Sequence, residues 1–253
     1  MKVVCIGAGN VATHLSNSLQ SAGAHIIQVY SHTQANATAL ACVLGAEPIH
    51  TLSALGRSAD LYVISVKDDA ITTVAAALSG VEGLVIHTSG ATPLSVLSGL
   101  KRYGVLYPLQ TFSKSREIAF AGVPLCLEAN DAASMGDLKE VAALLGPMVY
   151  EVNSEDRRAL HLAAVFACNF TNHLYHLGAR ILQERDMDFE MLRPLIQETA
   201  NKVQLALPLD MQTGPAVRDD QETMKRHLKE LHHLPELAAL YEILSKSIKN
   251  TYL

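Results

Sequence analysis

Short apolar runs alternate with stretches of helical periodicity from the N-terminus to residue 152. The runs at 3–7, 26–30, 61–66 and 84–87 are rich in β-branched residues and lack polar alternation, the pattern of strands buried on both faces. Helical spacing fills the gaps at 10–21, 34–44 and 69–78. Strands and helices in that order specify a parallel sheet with helices on both sides. Three more strands are expected at 104–107, 123–128 and 148–152, with a helix over 131–145 before the last. Beyond Ser154 the β-branched clusters stop, and four long helices are predicted at 155–184, 189–206, 220–232 and 235–252. The expected fold is α/β: a doubly wound, mainly parallel sheet over residues 1–152, then an all-α domain over 153–253, joined at the Asn153-Ser154 helix cap.

The first strand breaks into Gly7-Ala8-Gly9-Asn10-Val11-Ala12, a G-x-G-x-x-A turn that leads into a helix. In that setting Gly7 permits the tight turn, Gly9 lets backbone approach a pyrophosphate, and Ala12 keeps the helix close to the sheet. The unpaired N–H groups of the helix face the anion. Gly7 to Ala12 are therefore expected to hold a dinucleotide, a glycine-rich turn without ligand being the plainer alternative. An NAD site of this kind usually ends its second strand with a carboxylate on the adenosine ribose. This chain has Ser31-His32-Thr33 there, two hydroxyls and an imidazole that can receive a 2′-phosphate, so NADP is the expected cofactor. No Lys or Arg lies between Lys2 and Arg57, which predicts a modest preference. A helix cap built from Ser31 and Thr33 would use the same groups.

Ligands of open α/β sheets bind outside the carboxyl ends of the strands. Val66 and Lys67, Thr88-Ser89-Gly90, and the segment from Tyr107 to Phe112 that includes Gln110 fall at such ends. Asp68 or Asp69 reads as the N-cap of the following helix, and Thr88 to Gly90 as small groups that admit a ring or form a plain turn. On the helix predicted from Glu155, a rotation of about 100° per residue gathers His161, Val165, Cys168, Asn169, Asn172 and His176 into one uncharged polar stripe. Such a face suits a ligand cleft or an ordinary hydrogen-bonded contact with the other domain. His161 is the expected proton donor and acceptor because imidazole titrates near neutrality, with Asn169 and Asn172 orienting a substrate. Thr213 and Arg218 in the T-G-P-A-V-R-D-D stretch are candidates for an anionic substrate group, or a surface turn in which Arg218 pairs with Asp219 or Asp220. The 11 histidines show no H-E-x-x-H or Cys/His spacing, so no metal is expected.

A formal charge of −5 leaves no basic stripe for nucleic acid, and no apolar run approaches the ~20 residues that span a bilayer. The first strand starts too early for a signal peptide. The four cysteines, Cys5, Cys42, Cys126 and Cys168, sit in apolar segments without C-x-x-C spacing, which reads as buried thiols of a cytoplasmic protein. Four long helices in so short a domain leave apolar faces such as Leu237, Leu240, Tyr241 and Leu244, and a homodimer through the helical domain is expected.

Together G-A-G-N-V-A-T-H-L, S-V-K-D-D-A-I, H-T-S-G-A, Y-P-L-Q-T-F, H-L-A-A-V-F-A-C-N-F-T-N-H-L and T-G-P-A-V-R-D-D resemble a bacterial family that joins a Rossmann domain to a C-terminal helical domain of unknown function. More distantly, the N-terminal half is similar to pyrroline-5-carboxylate reductases, deazaflavin-dependent NADP oxidoreductases and the β-hydroxyacid dehydrogenase superfamily. The resemblance implies an NADP oxidoreductase acting on a small carbonyl, alcohol or imine in an interdomain cleft. The catalytic lysine that hydroxyacid dehydrogenases carry on the first helix of their second domain has no counterpart over 155–184. A rival reading is a non-catalytic NADP(H) sensor that a partner reads.

Overall fold

A computed structural model of the protein describes residues 1–252. The first compact unit, Met1–Asn169, contains β1 (Lys2–Ile6), α1 (Asn10–Ser21), β2 (His25–Tyr30), α2 (Gln34–Leu44), β3 (Glu47–Ile49), β4 (Leu61–Ile64), α3 (Ile71–Ala77), β5 (Leu84–His87), β6 (Tyr103–Pro108), β7 (Leu125–Ala129), α4 (Ala132–Ala143), β8 (Val149–Glu151) and α5 (Ser154–Ala164). The strands form one sheet in the order β3-β2-β1-β4-β5-β6-β7-β8, and β6 with β7 is its antiparallel pair. The α/β fold with a mainly parallel sheet is thus as the periodicity predicts. The three-residue β3 was not expected, since Pro48 interrupts it. At an edge, where β3 pairs only with β2, the missing N–H of proline does no harm.

The unbroken apolar runs arise because the central strands are covered on both sides. Val3 and Cys5 of β1, with Leu61 and Val63 of β4, point to the face covered by Leu15 and Leu19 of α1, Leu40 of α2 and Leu138 of α4. Val4, Ile6, Tyr62 and Ile64 point the other way, against Ile71, Val74 and Leu78 on and after α3. Burial pushes the Cys5 thiol up to about 12, so it stays protonated and acts as packing. Cys126 is buried too, but Cys42 and Cys168 are exposed, which corrects the expectation of four buried thiols. An apolar neighbourhood in sequence does not tell which side of an amphipathic helix a cysteine takes.

Asn153 caps α5, its Oδ1 accepting from the backbone N–H of Glu155 and Asp156 at 2.9 Å each. The helix predicted over 155–184 is interrupted: α5 passes into a six-residue π segment, Val165–Phe170, before α6 (Thr171–Gln183). The second compact unit starts at Phe170 and adds α7 (Arg193–Leu205), α8 (Pro208–Met211), α9 (Gln221–Glu230) and α10 (Pro235–Tyr252) to α6. Asp188 caps the 3-10 turn Phe189–Leu192, accepting from Glu190 N–H at 2.9 Å, and Asp220 caps α9, accepting from Thr223 N–H at 3.0 Å, while α6, α7 and α8 start without a side-chain cap. Lys249 pairs with Asp219, and His233 Nε2 meets Glu184 at 2.7 Å. No helix among the described residues is long and apolar enough to cross a membrane.

Candidate functional site

A cleft of about 1290 Å³ opens along the carboxyl ends of the central strands, and every residue lining it belongs to the first unit. At one end lies the glycine turn. Gly7 has φ +127°, and a Cβ there would come within 2.2 Å of the Ser65 carbonyl oxygen. Only glycine fits that position. A Cβ on Gly9 would meet nothing within 4 Å, so the backbone here borders open space. Helix α1 starts from Gly9 with no side-chain cap and no acid in its first turn, which leaves its N–H groups for an anion. Gly7, Ala8, Gly9, Asn10 and Val11 line the cleft, while Ala12 is buried behind them.

Ser31, His32 and Thr33 also line the cleft, at the start of α2, which has no side-chain cap. The Ser31 hydroxyl accepts from the Thr33 N–H at 3.3 Å, a turn ahead of the helix, and neither Ser31 nor Thr33 caps α2, against the capping alternative. Val66 and Lys67 line it as well. Asp68 and Asp69 do not cap α3: they form a 3-10 turn ahead of it, and the helix begins from Ala70 without a side-chain cap. Thr88 Oγ1 donates to Ser65 Oγ at 3.0 Å, tying the ends of β4 and β5 together. Ser89 Oγ accepts from the N–H groups of Ala91 and Thr92 at 3.1 and 3.0 Å, so this hydroxyl shapes its own turn.

At the other end Tyr107 and His161 meet. The Tyr107 hydroxyl is 3.1 Å from His161 Nδ1, and the rings cross edge to face at 5.9 Å. Burial pushes the Tyr107 phenol up to about 12. The phenol keeps its proton, and where it donates that proton to Nδ1 the neutral imidazole carries its own on Nε2. Gly90 makes the encounter possible, because a Cβ there would lie 2.7 Å from Tyr107 Cζ and 2.8 Å from His161 Nδ1. Gln110 lines the same end, its side chain accepting from the Thr111 N–H at 2.8 Å.

A buried ion pair fixes the helix that carries His161. Arg157, one turn earlier on α5, has no solvent exposure and pairs with Glu128 of β7. Its guanidinium also donates to the Thr92 carbonyl at 2.7 Å. The Ser154 hydroxyl donates to Glu128 at 2.8 Å and accepts from the Leu94 N–H at 2.9 Å. These bonds fix α5, which carries His161, to the loop after Gly90 and to β7, the strand paired with Tyr107's β6. His87 lies fully buried nearby, and burial with the Arg157 charge lowers its pKa to about 4.

The cleft-facing side of α5 and the π segment consists of Leu160, His161, Ala163, Ala164, Ala167, Cys168 and Asn169. His161, Cys168 and Asn169 of the polar stripe are present, but Val165 is not. Val165 opens a π segment, whose turn advances less per residue than an α turn, so the spacing of about 100° per residue does not carry through 165–170. Alanines there leave the room that bulky residues would fill. Asn172, Thr213 and Arg218 belong to the second unit. In that unit Asp219 is taken by Lys249 and Asp220 by the cap of α9. Tyr107 falls in a strand end that the sequence nominates, without a role of its own, whereas Arg157 is not nominated at all, because E-D-R-R at a helix start looks like a solvated turn. Among the described residues no cluster of His, Cys, Asp or Glu is placed to hold a metal ion.

Residues 1–112 match the model of a Rossmann-like domain, and residues 123–248 that of the Domain of unknown function (DUF2520). The crystal structure of a "putative NADP oxidoreductase" from Bacteroides fragilis is 43% identical, with a TM-score of 0.94 over 98% of each chain. The chain belongs to this family of Rossmann-like proteins with a DUF2520 domain. An imine reductase from Myxococcus stipitatus in complex with NADP+ shares the fold at 18% identity and a TM-score of 0.64, covering 100% of this chain and 95% of that one. A 1-pyrroline-5-carboxylate reductase from Streptococcus pyogenes does so at 14% identity and 0.64, covering 100% and 98%. No match is found among curated proteins.

Proposed function

We propose that the protein is an NADP-dependent oxidoreductase for a small carbonyl, alcohol or imine. The observation that carries this reading is one cleft with the uncapped start of α1 and Ser31 at one end and the Tyr107–His161 pair at the other. Its volume suits a dinucleotide with a small substrate beside it. The open space over Gly9 fits a pyrophosphate, and Ser31, His32 and Thr33, with no carboxylate among them, fit a 2′-phosphate. When bound, the nicotinamide supplies or takes up the hydride. His161 Nε2 holds the proton exchanged with the substrate oxygen or nitrogen, and Tyr107 fixes the tautomer from Nδ1. Gln110 and Asn169 orient the substrate, and Thr88 and Gly90 admit the ring.

We further place the protein in the cytoplasm as a homodimer. Its cysteines are all free, two of them exposed, as a reducing compartment permits. Exposed Leu195, Leu205, Leu207 and Ile243 in the second unit support a second copy as the surface that covers them.

Calorimetric titration with NADPH and NADH tests the cofactor, with NADPH expected to bind more tightly and Ser31→Asp to reverse the order by repelling the 2′-phosphate. Oxidation of NADPH with a panel of keto acids, aldehydes and cyclic imines tests the reaction. His161→Ala and Tyr107→Phe should lower turnover by ~10²-fold with cofactor affinity and melting temperature nearly unchanged. Tight NADPH binding with no turnover on any panel member would favour the sensor reading.

A further inference from the structure

The segment after β6 crosses to α1 and is tied down there. Asn10 Nδ2 donates to the Phe112 carbonyl at 2.9 Å, and one turn on His14 Nε2 donates to the Ser113 carbonyl at 2.9 Å. Phe112 is buried, stacked on Phe120 at 5.6 Å and tilted against the His14 ring at 5.1 Å. Lys114 follows Ser113. Its ammonium donates to the Ala8 carbonyl at 2.9 Å, inside the glycine turn. The partner is a carbonyl and not a carboxylate, so a full positive charge stands beside the positive end of α1, whose first turn holds no acid. Two like charges held together are unfavourable until an anion lies between them.

We propose that Lys114 brings a cation to the glycine turn of the nucleotide site, in addition to Lys67 of the cleft lining, and pairs there with the pyrophosphate. This rests on the dinucleotide reading of the cleft and supplies the charge missing between Lys2 and Arg57. Arg57 itself is occupied elsewhere, donating to the Ala77 and Ser79 carbonyls. The anchoring by Asn10 and His14 spares most of the ordering cost that a long flexible side chain pays on a mobile loop. Because the pyrophosphate is common to both nicotinamide dinucleotides, Lys114 adds affinity without selecting between them. Selection stays with Ser31, His32 and Thr33.

The test is calorimetric titration of NADPH and NADH into the unaltered protein and the Lys114→Ala, Lys114→Gln and Lys114→Arg variants, at low and high salt. Lys114 is exposed, so the variants should keep the melting temperature. Alanine and glutamine should weaken both nucleotides by a similar factor, ~10-fold, and flatten the salt dependence, with arginine restoring both. Protection from tryptic cleavage after Lys114 and Arg116 by bound NADPH in the unaltered protein should accompany this. Unchanged affinity in Lys114→Ala overturns the inference and leaves the cofactor reading intact. A loss confined to NADPH also overturns it, by putting the ammonium on the 2′-phosphate. Binding of neither nucleotide by the unaltered protein removes the cofactor reading and this inference with it.

Discussion

In the first unit the central strands β1, β4 and β5 are buried along nearly their whole length, and helices cover both faces of the sheet. In the second, Leu177, Ala216, Met224 and Leu237 are the buried hydrophobic residues among those described, while Leu195 is 62% exposed, Leu205 86% and Ile243 65%. A sheet with two covered faces needs nothing further to hide its apolar side chains. Helices that leave leucines in water at that rate have an unfinished interior. The difference lies in where each unit keeps its apolar side chains: the first largely inside itself, the second to a large extent on its surface.

The sharpest way to break that contrast is to attack the first unit at the one charged pair it has buried. Removing Glu128 leaves the Arg157 guanidinium without its counter-charge at a site with no solvent exposure. Glu128→Ala should therefore cost about 3–5 kcal/mol, the range for a stranded buried charge. Urea unfolding would measure it. A loss below about 1 kcal/mol would mean that water reaches Arg157 and that the unit is not closed as described.

A smaller effect is expected from the second unit, and it should depend on protein concentration. If a second copy covers the exposed leucines, Leu205→Asp with Leu207→Asp should shift sedimentation from dimer to monomer, each residue being worth on the order of 2 kcal/mol if it anchors the interface. The same changes in a protein that sediments as a monomer throughout would alter stability by less than about 0.5 kcal/mol. That outcome would remove the homodimer from the proposal.

How much of this was legible in the sequence follows the same contrast. Buried strands announce themselves because a run such as Val3 to Ile6 can have only one environment, and the glycine turn because Gly7 adopts a backbone that few residues can. The helix after Asn153 was visible, but its π segment was not: hydrogen-bond slippage over Val165 to Phe170 leaves no trace in the residue types. Pairings between distant segments were also invisible. Nothing in K-S-R marks Lys114 as reaching Ala8 across 106 positions, and nothing in E-D-R-R marks Arg157 as the partner of Glu128. Sequence patterns report the environment of an element, and sites are built from the meeting of several.

The finest probe of the first unit's interior is His87. It is fully buried, and its Nδ1 accepts from the Ser89 N–H at 3.2 Å. Burial first, and the Arg157 charge second, bring its pKa from 6.5 down to about 4, so the fold accommodates only the neutral ring. The sign follows from proton counting. Between these two values the unfolded chain holds a proton on His87 that the native protein does not, so stability rises with pH across that window. The contribution is complete above about pH 6.5 and is lost as pH falls toward 4, at up to about 1.4 kcal/mol per pH unit. Denaturant midpoints measured every half unit of pH should show this slope in the unaltered protein and lose it in His87→Asn, which keeps a polar group beside Ser89 without a titrating ring. The other ten histidines serve as the internal control, because they remain in the variant. An unchanged slope in His87→Asn would show that acid sensitivity resides elsewhere and that the first unit admits a charge where the structure has it closed.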